Sequence, residues 1–309
     1  MARSDWFEGF ETRTVPLGDV ALHVRLGGRL DAPPLLLLHG YPQTGALWHR
    51  VARALAADFR LVIPDLRGYG RSTKPDDGGQ GAAQHHALMS KRAMAADVAA
   101  LMAALGHDRF CVAGHDRGGR VAHRLALDHR DRVAAVCVLD IAPTLDMYEA
   151  TDMRFASAYF HWFHLIQPAP LPERMIGGDP SFYLRWTISG RGRPEGLAIF
   201  EPEALAEYEE TFSHADTIHA TCEDYRAAAT IDLEHDRASR AAGDRIGCDL
   251  LVLWGERGVV GAQFDPIALW RAQCAGTVAG EATPSGHYVP EECPALVAER
   301  LRAFCSAHA

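Results

Sequence analysis

Gly114-His115-Asp116-Arg117-Gly118-Gly119-Arg120 follows the apolar run Phe110 to Ala113 and opens an apolar-periodic stretch, the pattern of a strand, a sharp turn and a helix. Glycines stand two residues either side of Asp116, where a tight nucleophile elbow leaves no room for larger side chains. A serine at the tip of such an elbow suits acyl transfer. A carboxylate instead attacks saturated carbon by displacement and leaves an alkyl ester on the protein. Asp116 therefore predicts cleavage of a carbon–heteroatom bond at an sp3 centre.

Strand and helix alternate regularly around this elbow. Residues 12 to 28 alternate loosely about Gly18-Asp19 and predict a β-hairpin. Leu35 to Leu38 form a short, wholly apolar run ending in His39-Gly40, as in a strand buried on both faces. Helical periodicity from Leu47 to Ala57 leads to Leu61-Val62-Ile63, and a second helical stretch from Lys91 to Leu105 leads to the strand before Asp116. After the elbow helix comes the strand Val133 to Leu139, ending in Asp140. This order predicts an α/β fold with a mostly parallel central sheet flanked by helices. From about Pro143 to Asp236 the pattern turns helical and aromatic, and the sheet pattern resumes at Leu250 to Gly255. A core of residues 1–142 and 237–309 with a helical cap inserted at 143–236 is the expected organisation.

Composition narrows the function classes. A 309-residue chain with 48% hydrophobic and 23% charged residues is ordinary globular material. The formal net charge of -9 argues against a nucleic-acid partner, which needs clustered Lys and Arg. Seven cysteines lie scattered without C-x-x-C spacing, as expected of reduced thiols in the cytoplasm. Neither an N-terminal apolar segment nor a run long enough to span a membrane is present in the sequence. Residues 74 to 90, with Gly78-Gly79-Gln80-Gly81 and His85-His86, predict a flexible, solvated loop rather than a metal site, because no further ligand pattern accompanies the His pair.

Turnover of an aspartyl ester requires a base to activate water and a group to orient that base. His287, in Pro284-Ser285-Gly286-His287-Tyr288 just ahead of the last helix, occupies the place where the chain order nucleophile, acid, histidine puts the base. The orienting acid follows either the strand ending at Asp140 or the one ending at Gly255. The latter offers only Glu256, so Asp140 is the choice. His39-Gly40-Tyr41-Pro42 lets the Tyr41 N–H face the elbow, and with the Arg117 N–H it makes an oxyanion hole. Arg117 and Arg120, one turn apart beside Asp116, predict forked binding of a substrate carboxylate. Farther on, Tyr159-Phe160-His161-Trp162-Phe163-His164 and Cys222-Glu223-Asp224-Tyr225-Arg226 hold several hydrogen-bond donors, although periodicity alone would assign them to packing.

Taken together, the elbow, His39-Gly40-Tyr41-Pro42, Asp140, His161-Trp162, Tyr225 and His287 closely resemble the haloacetate dehalogenases of the α/β-hydrolase superfamily, over about Phe7 to Phe304. The resemblance implies that Asp116 displaces the halide of fluoroacetate or chloroacetate to give glycolate. It further implies that Arg117 and Arg120 hold the carboxylate, that Asp140 and His287 drive ester hydrolysis, and that His161, Trp162 and Tyr225 cradle the halide. A homodimer with neither metal nor organic cofactor is implied as well. Departures from the family pattern fall in the 74–90 loop and around Arg185 to Pro194, where access and substrate size are decided. Two other readings remain. An epoxide hydrolase would use the same nucleophile with Tyr225 and one of Tyr159, Tyr183 or Tyr208 as phenol donors. A non-catalytic hydrolase-like binding protein would keep only the pocket.

Overall fold

The computed structural model describes residues 6–84, 86–190 and 194–308; His85 and the first five residues lie outside them. The predicted hairpin is β1 (Glu11–Leu17) and β2 (Val20–Gly28), paired antiparallel with Leu17 opposite Val20. The chain continues through β3 (Pro34–Leu38), α1 (His49–Leu55), β4 (Arg60–Pro64), α2 (Lys91–Ala104), β5 (Phe110–His115), α3 (Arg117–Asp128) and β6 (Val133–Leu139). Eight helices follow: α4 (Thr144–Glu149), α5 (Met153–Ala158), α6 (Phe160–Leu165), α7 (Leu171–Gly178), α8 (Pro180–Ile188), α9 (Pro202–Phe212), α10 (Ala215–Ala229) and α11 (Ile231–Ala241). Next come β7 (Asp249–Gly255), α12 (Val259–Gln263), α13 (Pro266–Gln273), β8 (Val278–Thr283), α14 (Val289–Glu292) and α15 (Pro294–Ser306).

The eight strands form one sheet in the order β1-β2-β4-β3-β5-β6-β7-β8. β2 runs antiparallel to both neighbours, and every pairing from β4 onward is parallel. Because side chains alternate across a strand, the central strands divide their residues between two cores. Leu36, Leu38, Val112, Val136, Val138 and Val252 pack on the face covered by Met94, Val98 and Leu101 of α2 and Val121 and Leu125 of α3. Leu35, Leu37, Cys111, Ala113, Cys137 and Leu253 pack on the other, against Val51 and Leu55 of α1 and Val297 and Leu301 of α15. Burial on both faces is why these strands read as continuous apolar runs. All seven cysteines are free. Among the described residues no helix is long and apolar enough to cross a membrane.

The segment 74–90 departs from expectation. It carries short 3-10 turns at Ala82–Gln84 and Ala87–Met89, and His86 is held by Glu223 of α10, with Nδ1 2.6 Å from Oε2. The reading of a solvated His pair fails for His86 because its partner lies 137 residues away along the chain.

Parallel strands all end on the same side of the sheet, so the loops after them converge there. The loop after β3 carries Tyr41, β5 ends at the elbow, β6 ends before Asp140, and His287 follows β8. The elbow itself is sterically tight. Asp116 sits at φ 46 and ψ -114, outside the regions an L-residue prefers. A Cβ on Gly114 would lie 2.3 Å from Gly118 O, and one on Gly118 would lie 2.5 Å from the Leu38 and His39 carbonyl oxygens. We predict that Gly118→Ala lowers unfolding free energy in urea by at least about 1–3 kcal/mol, the cost of overpacking a buried contact; an unchanged midpoint would mean that the elbow has slack.

Candidate active site

Asp116 is buried at the tip of the elbow, and the Tyr41 N–H donates to its Oδ2 at 3.1 Å. Burial is the largest influence on its carboxyl and raises the pKa, but the charges of His287, Arg120 and Arg117 outweigh it and hold the value at about 2. The group is thus an anion throughout the neutral range. Arg117, the first residue of α3, has a backbone N–H among the donors that a helix start leaves without an intrahelical partner.

His287 and Asp140 meet as the sequence predicts, with Nδ1 2.6 Å from Asp140 Oδ2. Asp140 Oδ1 accepts from the Gly255 N–H at 3.0 Å, so the carboxylate is fixed by the end of β7. Glu256, the rejected alternative, is exposed and faces Arg257. Burial lowers the proton affinity of His287, yet the hydrogen bond and charge of Asp140 and the charge of Asp116 raise it more, leaving the imidazole above its usual value. His115 Nε2 lies 2.8 Å from the His287 carbonyl oxygen. Burial, chiefly, pushes the pKa of His115 down to about 3, so it is a neutral ring that donates there and adds no competing charge.

The arginines are arranged differently from the predicted pair of forks. Arg117 spends its fork on Asp224 of α10: Nε donates to Oδ2 at 2.9 Å and Nη2 to Oδ1 at 2.7 Å. Its Nη1 remains buried without a partner. Arg120 donates from Nη1 to Thr144 Oγ1 at 2.9 Å, while its Nε is buried without a partner. Each guanidinium lies over a ring, Arg117 4.2 Å from the centroid of Tyr225 and Arg120 4.8 Å from that of Trp162. The Tyr225 hydroxyl is also buried without a partner. Three donors therefore face the interior unpaired beside an anionic carboxylate.

His161, Trp162 and Tyr225 come together from α6 and α10. His161 stacks on Tyr41 at 5.9 Å and meets Tyr225 edge-on at 5.7 Å, and Trp162 lies 6.4 Å from Tyr225. Burial, the dominant influence, brings the His161 pKa down to about 3, so that this ring is neutral too. A cavity of about 510 Å³ is lined by Asp116, His161, His287, Trp186–Gly190 and Arg257–Val259, while Arg117, Arg120, Trp162 and Tyr225 are buried behind its lining.

Sequence reasoning missed Asp224, Lys91 and Tyr69, and named Tyr159 only as a phenol donor for epoxide hydrolysis. Asp224 accepts from Arg117, from the Tyr69 hydroxyl at 2.6 Å and from the Lys91 ammonium. Tyr159 stacks on Trp162 at 5.6 Å and meets His287 edge-on at 6.3 Å. An acid immediately before Tyr225 was the available signal for Asp224, since a buried arginine needs a counter-charge. Burial raises the Asp224 carboxyl, but Arg117 and Lys91 override it and hold the pKa well below the ordinary value. A depressed folded pKa gives stabilisation that is complete above the unfolded carboxyl value of about 3.9 and is lost as pH falls through the folded one. We predict that Asp224→Ala costs about 3–5 kcal/mol at pH 7 by stranding buried cations; a loss below 1 kcal/mol in chemical denaturation would contradict the arrangement.

Comparison with known proteins agrees with this geometry. The family profile for the alpha/beta hydrolase fold matches residues 33–277. Fluoroacetate dehalogenase from Burkholderia sp. is 44% identical over 300 residues, covering 97% of this chain and 95% of that protein. Soluble epoxide hydrolase from Corynebacterium sp. (strain C12) is 33% identical over 273 residues, 88% of this chain and 89% of that protein. A crystal structure from Nostoc sp. PCC 7120, assigned to the α/β hydrolases, superposes with a TM-score of 0.91 at 48% identity, covering 98% of this chain and 100% of that one. The chain belongs to the α/β-hydrolase superfamily and, within it, to the haloacetate dehalogenases.

Proposed function

We propose that the protein hydrolyses haloacetates, fluoroacetate or chloroacetate, to glycolate and halide, with residues 143–236 serving as a cap over the core. The observation that carries this reading is the set of buried unpaired donors, Arg117 Nη1, Arg120 Nε and the Tyr225 hydroxyl, on residues that interact electrostatically with the Asp116 carboxylate. Two cationic donors suit a substrate carboxylate, and a neutral phenol suits a departing halide. Such a substrate is an acid whose α-carbon lies over Asp116.

The Tyr41 N–H holds Asp116 Oδ2, which leaves Oδ1 to attack the α-carbon while the carbon–halogen bond breaks. His161, Trp162 and Tyr225 receive the halide. Fluoride is a poor leaving group, and donors fixed in a water-shielded site stabilise its developing charge. Water then adds to the ester carbonyl with His287 as base, Asp140 orienting it, and the Tyr41 and Arg117 N–H groups stabilising the oxyanion. The electrostatics favour this order. The Asp116 charge helps raise the His287 pKa in the free protein; alkylation removes that charge, so the imidazole loses proton affinity at the step that needs it neutral.

A 510 Å³ cavity is ample for a haloacetate and gives access to bulkier 2-halo acids. The reading places the protein in the cytoplasm as a homodimer. Leu171 and Met175, one turn apart on α7, and Phe182 on α8 are all more than half exposed, as a self-association patch on the cap requires. Epoxide hydrolysis is the second reading, favoured by the 33% identical relative and by the Tyr159 phenol, whose ring meets His287 edge-on at 6.3 Å. Two arginines with free donors have no task in it.

Fluoride and chloride release from the two haloacetates, measured beside styrene oxide consumption, tests the reading. We expect halide release without epoxide turnover, loss of at least ~10³-fold in Asp116→Asn, and a carboxymethyl ester on Asp116 accumulating in His287→Asn. Epoxide turnover without halide release would transfer the assignment to the second reading.

A further inference from the structure

A second cluster of ionisable side chains lies where the 74–90 loop meets α10. Asp77 on the loop and His219 and Glu223 on the helix each offer one ligand atom, and these atoms all lie within 4.8 Å of one another. Spacing of i, i+4 puts His219 and Glu223 on one helix face, about 100° around the axis from Asp224. His219 Nε2 is 3.6 Å from Asp77 Oδ2. Ligands held at about 2.0–2.1 Å around a tetrahedral ion stand roughly 3.3 Å apart, so this pair needs to close by only a few tenths of an ångström. His86 borders the cluster through Glu223, with Nδ1 2.6 Å from Oε2.

The surroundings are arranged as behind a metal-bound imidazole. The other nitrogen of His219, Nδ1, lies 3.1 Å from Glu173 Oε1, and that carboxylate is in turn held by Arg226 at 2.7 Å. A carboxylate behind the ring fixes its tautomer and turns the second nitrogen toward the cluster. Gly81 provides the floor. A Cβ there would lie 2.4 Å from Glu223 Oε2 and 2.5 Å from Asp77 Oδ2, so two carboxylate oxygens converge over its bare backbone. A small cavity lined by Asp77, Gly81, His86 and Glu223 adjoins them.

We propose that Asp77, His219 and Glu223, with a water as fourth ligand, bind a divalent transition metal ion that clamps the 74–90 loop onto α10. Mixed imidazole and carboxylate donors select zinc over calcium or magnesium, which take oxygen ligands. Loading releases any proton carried by the His219 imidazole. The site is structural. It ties down the helix whose next residues are Asp224 and Tyr225 without taking part in bond breaking at Asp116.

The test is isothermal titration of zinc into untagged, metal-stripped protein, followed by thermal melting. We expect one ion per chain with a dissociation constant in the micromolar range or below, a higher Tm on loading, and at least tenfold weaker binding in both Asp77→Asn and His219→Gln. Basal activity of the two variants should stay unchanged, which also reports that they fold. Cobalt should give the visible spectrum of a tetrahedral nitrogen–oxygen site; a thiolate charge-transfer band would place the metal on the free cysteines instead. That band, the absence of stoichiometric binding, or equal affinity in the two variants would overturn the proposal.

Discussion

The bidentate ion pair between Arg117 and Asp224 is the contact through which the two halves of the site share one geometry. Arg117 opens the helix after the elbow, and Asp224 lies on α10 in the helical segment between β6 and β7, 107 residues later. Both side chains are fully buried. Desolvating two charges is costly, and the pair is retained only because hydrogen bonds occupy nearly every lone pair and proton: Tyr69, Lys91 and the Asp224 carbonyl complete it. The unpaired Nη1 of Arg117 is then held in place, and Tyr225, the next residue on α10, is fixed over the guanidinium. Preorganisation of this kind avoids reorganisation when charge moves in the reaction.

Similar contacts fasten the rest of the helical layer. Arg25 of β2 and Thr44 both reach Glu207 of α9, each at 2.5 Å, and Arg124 of α3 reaches Asp236 of α11 at 2.6 Å. Each joins an element of the sheet layer to one above it. The site therefore lies between a sheet whose strand ends supply Asp116, Asp140, Tyr41 and His287, and helices whose inner faces supply His161, Trp162 and Tyr225. Burial does much of the electrostatic work. It keeps His115 and His161 neutral, so the positive charge acting on Asp116 comes from His287, Arg120 and Arg117 rather than from those two rings.

How much of this was legible in the sequence follows the distance over which each feature is encoded. The hairpin, the buried strands and the elbow are written in periodicity and glycine placement within ten residues, and β6 begins and ends where the apolar run Val133–Leu139 does. Asp140 and His287 were legible because both follow strand ends in a fixed chain order. The pairing of Arg117 with Asp224, which turns two expected forks into single free donors, was not: it depends on where α10 crosses the elbow helix, a tertiary fact without local pattern. His86 illustrates the same limit. Next to His85 in a glycine-rich stretch it reads as solvated loop, yet the helix that receives it supplies Glu223 and His219 more than a hundred residues on.

The claim on which the account turns is that Asp116 itself forms the bond to carbon. A single turnover of fluoroacetate in ¹⁸O-water, with enzyme in excess, tests it directly. Attack by Asp116 puts a protein oxygen into the first glycolate formed and leaves the label in the Asp116 carboxylate, readable by peptide mass spectrometry. Label in the first glycolate with none in Asp116 would mean that water attacks the α-carbon directly, and the account would be wrong.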